Sequence, residues 1–165
     1  MTMFNHVKDA IGDVYRAMTK SPTNQVGGEA HLLLEDDNDE PYLSGIKYNT
    51  LVPGKRFRDM DQLSGGEKAV AALALLFAIH SFRPSPFFVM DEIDANLDKD
   101  NVELVATYIR NRVNSQSNIK QPFQAIVISL NPAFYGYADG LIGVYKDADT
   151  KASEQLTFDL ERFAL

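Results

Sequence analysis

The sequence predicts an α/β domain with a mainly parallel core sheet, and three observations carry that reading. A long Ala/Leu-rich segment, Ser64 to Phe82, is closed by Pro84 and Pro86. The run Phe87-Phe88-Val89-Met90 is short and wholly apolar, as expected of a strand covered on both faces of a parallel sheet. A second such run, Phe123 to Leu130, follows a helical segment. Helix, strand, helix, strand in that order builds parallel pairs.

The flanking elements follow in chain order. Phe4, Val7, Ile11, Val14 and Met18 are spaced 3, 4, 3, 4. Such an a/d seam suits an amphipathic helix docked on the domain or the end of a longer coiled coil. Residues 1–20 are therefore set apart from a domain over 21–165. "SPTNQVGG" (21–28) reads as a loop by its Pro, Asn and Gly content. Ala30 to Glu35 and Leu43 to Tyr48 read as strands joined by the acidic turn "DDNDEP". "VPGKRFRDMD" (52–61) reads as a loop with Lys55, Arg56 and Arg58 around Phe57, solvated or phosphate-contacting. Val102, Val105, Ala106, Ile109 and Val113 share one face of a helix from about 100 to 113. "NSQSNIKQP" (114–122) reads as a polar, mobile loop. Leu141 to Tyr145 and Gln155 to Leu160 read as strands flanking "KDADTKAS".

Bulk properties bound the function. A chain of 165 residues with 45% hydrophobic and 24% charged content supports one domain with a proper core. A net charge of -7 argues against a surface basic all over, so nucleic-acid contact would need a local patch. With no cysteine, disulfides and thiolate metal sites are excluded. The longest apolar run, Ala69 to Ile79, is shorter than the roughly 18 residues of a membrane span. "MTMFNHVKD" lacks the layout of a signal peptide.

Two stretches carry chemistry. The first is "FFVMDE", which ends a buried strand in two carboxylates, at the sheet edge where α/β proteins bind ligands. Successive strand residues point to opposite sides, so Asp91 and Glu92 take different roles. Asp91 suits the surroundings of a Mg²⁺ held by nucleotide phosphates, through water, and Glu92 suits orienting or deprotonating an attacking water. Asp94 and Asp98 follow at once in "DEIDANLD"; Asp98 or Asp100 also suits a helix N-cap.

The second is "LSGGEK", Leu63 to Lys68. Ser64-x-x-Glu67 is a capping box, which leaves Gly65 and Gly66 unexplained. Each glycine costs roughly 0.8–1 kcal/mol against alanine in a helix. Absent Cβ atoms would let a phosphate approach the bare amides of the helix N-terminus, with the Ser64 hydroxyl and Lys68 beside them. No G-x-x-x-x-G-K-[ST] occurs in the sequence, so the chain has no phosphate cradle of its own.

"LSGGEK", an Ala/Leu helix and "FFVMDEIDANLD" together resemble the C-terminal lobe of an ABC-type ATPase head: signature motif, Walker B strand and D-loop. Ser129 in "IVISL" falls at the switch position, where transporter ATPases usually carry histidine; this favours the SMC branch. With "EPYLSGIKYN" and "PGKRFRDMD" added, nearly the whole chain is similar to the head of the cohesin SMC subunit that binds the kleisin C-terminus. Condensin-type SMC heads are similar around "MDEID" but do not usually carry those two segments.

The resemblance implies half of a composite ATPase, inactive alone, using ATP and Mg²⁺. Leu63, Ser64, Gly65, Gly66, Glu67 and Lys68 would bind, in trans, the ATP seated on a partner SMC head. Asp91 and Glu92 would act on the ATP of this head, with Asp94, Asn96, Leu97 and Asp98 as D-loop. Asn96 departs from the small residue often seen there. The implied partners are an N-terminal lobe, a second SMC head, the kleisin winged-helix domain near 155–160, and DNA, with Lys55, Arg56 and Arg58 as candidate contacts. No membrane is implied. The expected location is nuclear, on chromosomes, and the role is DNA entrapment in sister chromatid cohesion. The alternative is a platform that mainly docks kleisin.

Overall fold

A computed structural model describes residues 1–35, 43, 45–114 and 123–160. The expected acidic turn, most of the polar loop and the last five residues lie outside these. Three helices and the edge of a sheet share one core. α1 (Thr2–Thr19) lies along α2 (Gly65–Phe82) and β1 (Glu29–Leu34). Its buried side chains are Val7, Ile11, Tyr15 and Met18, which meet Ala30 and Leu32 of β1 and the Val70, Ala74 and Phe77 face of α2 in a single cluster. Most of the a/d seam is thus satisfied within the lobe, with Tyr15 taking over from Val14.

β1 pairs antiparallel with β2 (Ile46–Leu51), and β2 with β3 (Phe57–Asp59). β2 starts three residues later than the expected strand at Leu43. The register decides this, because Leu34 already faces Ile46 and Glu29 faces Leu51. β3 occupies part of the expected loop. Three residues with an exposed Phe57 give no strand periodicity, and the strand exists only as an added edge on β2. A 3-10 turn (Met60–Gln62) then delivers the chain to α2. The Tyr48 hydroxyl donates to the Ala71 carbonyl at 3.0 Å, tying β2 to that helix.

α2 is long and apolar enough to cross a membrane by length and composition alone. Here its Val70, Leu73, Ala74, Phe77 and Ala78 are buried in the domain core instead. β4 (Phe87–Asp91) follows, then α3 (Lys99–Asn114), then β5 (Gln124–Ile128), which pairs parallel with β4. Among the described residues this is the one parallel pairing; the β1–β2–β3 sheet and the terminal hairpin are antiparallel. One face of β4–β5 packs on the core through Phe88, Met90, Ala125 and Val127. The other face carries Phe87, Val89, Ile126 and Ile128, with Val89 51% and Ile128 52% exposed. The expectation of burial on both faces therefore fails within this chain, although the residues remain apolar. α4 (Pro132–Tyr135), a short helix absent from the sequence reading, precedes the hairpin of β6 (Gly140–Lys146) and β7 (Ser153–Asp159). An Arg110–Asp139 ion pair ties α3 to the entry of that hairpin.

His80 of α2 lies between the rings of Phe88 and Phe123, both centroids at 5.2 Å. Its Nε2 lies 3.1 Å from both the Ser85 backbone N–H and the Ser85 hydroxyl, and its Nδ1 is buried without a hydrogen-bond partner. Burial pushes the His80 pKa below its ordinary 6.5. The unfolded chain then binds a proton that the folded chain resists, so stability falls as pH drops from 6.5 through the lowered value. Urea unfolding at pH 7.5 and 5.5 should show this loss, and His80→Phe should shrink it; an unchanged loss in His80→Phe would assign it elsewhere.

Candidate functional site

The N-terminus of α2 is built by the capping box. The Ser64 side chain accepts from the Glu67 amide at 3.4 Å, and Glu67 Oε2 accepts from the Ser64 amide at 2.9 Å. The cap uses the serine oxygen as acceptor and leaves its proton available. Lys55, arriving from the loop before β3, donates to Glu67 Oε1 at 2.6 Å. Arg58 donates to the Gln62 carbonyl at 3.2 Å, while Arg56 is exposed. Two of the three candidate DNA-contacting cations, Lys55 and Arg58, therefore make hydrogen bonds within the chain, to Glu67 and Gln62. The Lys55–Glu67 link spans twelve residues and crosses a loop, so no local pattern announces it.

The two glycines separate. A Cβ on Gly65 would meet nothing within 4 Å, so this position opens to the outside. A Cβ on Gly66 would lie 3.2 Å from the Asn96 carbonyl oxygen, tighter than ordinary van der Waals contact. The first glycine leaves room for an approaching ligand; the second is explained by the Asn96 carbonyl packed against it. Leu63 is buried beneath the turn, and Lys68 is exposed on the first turn of the helix.

β4 ends in Asp91, opposite Ile128 of β5. Glu92 follows with φ 48°, a left-handed conformation that costs a non-glycine residue roughly 1–2 kcal/mol. Its backbone is held on both sides: the N–H donates to the Ile128 carbonyl at 2.9 Å, and the carbonyl accepts from the Ala95 N–H at 3.2 Å. Such strain persists where neighbours over-determine it. The turn sends the Asp91 and Glu92 carboxylates out, both exposed. Among the described residues no three His, Asp or Glu side chains converge on one point. Two exposed carboxylates at a strand end are the kind of ligand set Mg²⁺ uses, which is commonly held by one or two carboxylates with phosphates and waters.

Residues 94–98 form a chain of turns. Leu97 N–H donates to the Asp94 carbonyl at 3.0 Å, and Asp98 caps α3, its Oδ1 accepting from the Asn101 N–H at 2.9 Å. Ser129, one residue beyond β5, donates its hydroxyl to Asp94 Oδ2 at 2.8 Å and accepts from the Asn131 N–H at 2.9 Å. The structure thus gathers Asp91, Glu92, Asp94 and Ser129 at the ends of the paired strands, and joins them to Gly66 through Asn96. Asn131 was absent from the sequence reading; its Oδ1 caps α4 at the Ala133 N–H, an Asn-Pro start legible only once α4 is known.

A family model described as the RecF/RecN/SMC N-terminal domain matches residues 19–153. The chain belongs to this family. It is 52% identical to Structural maintenance of chromosomes protein 1 (SMC1) of Arabidopsis thaliana, over 99% of this chain and 14% of that protein. The Schizosaccharomyces pombe SMC1 is also 52% identical, over 97% of this chain and 12% of that one. SMC4 of Saccharomyces cerevisiae is 39% identical over 97% of this chain and 10% of its own length. The chain therefore spans only about an eighth of the SMC1 relatives named here. Among solved structures, a chain from work on ATP-driven dimerization and DNA-stimulated activation of SMC ATPases matches with TM-score 0.80 and 33% identity, over 99% of this chain and 89% of that one. The Pyrococcus furiosus Smc head domain with an extended coiled coil, bound to the C-terminal domain of ScpA, matches with TM-score 0.78 and 33% identity, over 97% of this chain and 36% of that one. The fold is that of an SMC head.

Glu67 provides a test of the Lys55 link. The Lys55 hydrogen bond, then the Ser64 amide, hold its carboxyl below the ordinary 4.5. The stabilisation is present above 4.5 and lost as pH falls through the lowered value. Lys55→Ala should move the Glu67 titration, followed by carboxyl NMR, back up toward 4.5; an unmoved titration would mean that Lys55 does not hold it.

Proposed function

We propose that this chain is the C-terminal half of a composite ATPase head in a cohesin-type SMC subunit. It supplies the signature motif, Walker B strand and D-loop for ATP-dependent head engagement and hydrolysis. The observation that carries the reading is the division of labour at one lobe edge. Ser64 and Gly65 form an open anion-ready helix start, Asp91 ends β4 with Glu92 directly after it, and no phosphate loop occurs in the sequence.

ATP and Mg²⁺ fit the residues present. Asp91 would hold Mg²⁺ through water, and the metal would neutralise charge developing on the phosphates. Glu92, aimed by its fixed left-handed backbone, would orient the attacking water on the ATP of this head. Ser64, Gly65 and Gly66, with Leu63, Glu67 and Lys68 shaping the turn, would serve the ATP on a partner head. The exposed apolar face of β4–β5 supports an N-terminal lobe as the missing cover, since parallel strands are normally buried on both faces.

The higher identity to SMC1 than to SMC4 supports the cohesin-type subunit over a condensin-type one. A nuclear, chromosomal role in DNA entrapment and sister chromatid cohesion follows from that assignment. α1 would continue a returning coiled coil. β7 is exposed along its length, and the cross-strand register puts Leu141, Tyr145, Leu156 and Phe158 on one face of the hairpin. This face suits a kleisin winged-helix domain, by analogy with the Smc head bound to ScpA. DNA would be met through the assembled complex, with exposed Arg56 the foremost of the three cations. A second reading, a kleisin-docking platform without turnover of its own, is favoured by the same hairpin.

The test uses the full SMC pair with kleisin. Glu92→Gln should cut ATP turnover by about 100-fold or more, the scale of losing a positioned base. Ser64→Arg should leave ATP binding to this head intact and abolish head–head engagement. Unchanged turnover in Glu92→Gln would favour the platform, and loss of binding at this head in Ser64→Arg would overturn the trans assignment.

A further inference from the structure

We infer that Asp94 is a positioning residue that couples Ser129 to the signature helix by fixing the D-loop. The inference rests on the composite-head reading and gives Asp94, a member of the D-loop in that reading, a specific partner and task. Asp94 is half-buried, and its carboxylate takes the Ser129 hydroxyl at 2.8 Å. That hydroxyl is itself set from behind by the Asn131 N–H at 2.9 Å. Ser129 therefore has a fixed direction, and Asp94 is what it points at.

Displacement of Asp94 cannot be absorbed locally. The turn is closed on each side, by Ala95 N–H on the Glu92 carbonyl and by Leu97 N–H on the Asp94 carbonyl. Asn96 lies inside that second turn, and its carbonyl oxygen occupies the space that a Gly66 side chain would need. Ser129, Asp94, Asn96 and Gly66 are thus linked in turn by a hydrogen bond, a closed turn and a close approach. This linkage leads from the strand ends beside Glu92 to the helix start beside Ser64. A change at the nucleotide of this head that moved Ser129 would shift Asn96 against or away from Gly66. It would thereby alter the surface offered to the other head. A tie that only stiffened two loops would affect stability without changing engagement.

The experiment uses the full-length SMC pair with kleisin. It reads the concentration of a non-hydrolysable ATP analogue that gives half-maximal head engagement, by site-specific crosslinking. The analogue's affinity for the full-length subunit alone is read alongside. Asp94→Ala should raise the engagement concentration about tenfold, within the usual range of coupling between sites, and by far more than it changes the subunit's own affinity. Ser129→Ala should do the same, and the double variant should be no worse than either, because both break one link. Asp94→Asn, which keeps an acceptor oxygen, should stay close to wild type. No effect of Asp94→Ala, additive effects in the double variant, or an equal loss of the subunit's own affinity would each overturn the inference. If Asp94→Ala does not fold, Ser129→Ala is read by the same two quantities. Ser64→Arg serves as the reference. Engagement that survives it sinks the composite-head reading itself, whereas its loss alongside an unaffected Asp94→Ala sinks the coupling alone.

Discussion

The start of α2 is the constraint on which the rest of the site depends. A helix N-terminus leaves amides without partners, and these must be capped, hydrated or given to a ligand. Ser64 and Glu67 satisfy part of that need reciprocally, and Lys55 locks the glutamate in place. Gly65 leaves the remainder open, and Gly66 lets the Asn96 carbonyl close against the first turn. The ends of β4 and β5, the turn over 94–98 and the start of α2 are thereby held as one edge. Without Gly66 the Asn96 carbonyl would have to retreat, and the turn that carries Asp94 would move with it.

The same edge explains where strain is tolerated. Glu92 adopts a left-handed backbone because Ile128 and Ala95 grip its peptide groups. The parallel β4–β5 pair supplies the Ile128 half of that grip, and its core-facing side is anchored by Met90 and Phe88 in the core shared with α2. The opposite side, with Phe87, Val89, Ile126 and Ile128, remains apolar and open. An edge so rigid on a sheet so incompletely covered suits a lobe that works against another one.

Much of this was legible in the sequence where the signal was local. The capping box, the α2 and α3 helices and the carboxylates ending β4 each sit within a few residues of the pattern that announces them. What was not legible is long-range. The reason for Gly66 lies in the Asn96 carbonyl, far along the chain, and the partner of Lys55 lies across β3. β3 itself is three residues that owe their strand conformation to β2. The heptad spacing of α1 was read correctly as a helical stripe, but spacing cannot say whether the stripe meets a coiled-coil partner or α2. Continuous apolar runs predicted burial on both faces of β4 and β5. Only one face is buried here, and the second stays apolar and exposed.

The central claim is that catalysis is divided between this chain and a lobe that brings the phosphate loop. The most direct measurement is steady-state phosphate release from ATP. It is made first by the purified chain, then by the same chain joined by an N-terminal lobe, a partner head and kleisin. The account predicts no release above background by the chain alone and clear turnover on completion. Turnover by the isolated chain, abolished by Glu92→Gln, would contradict it.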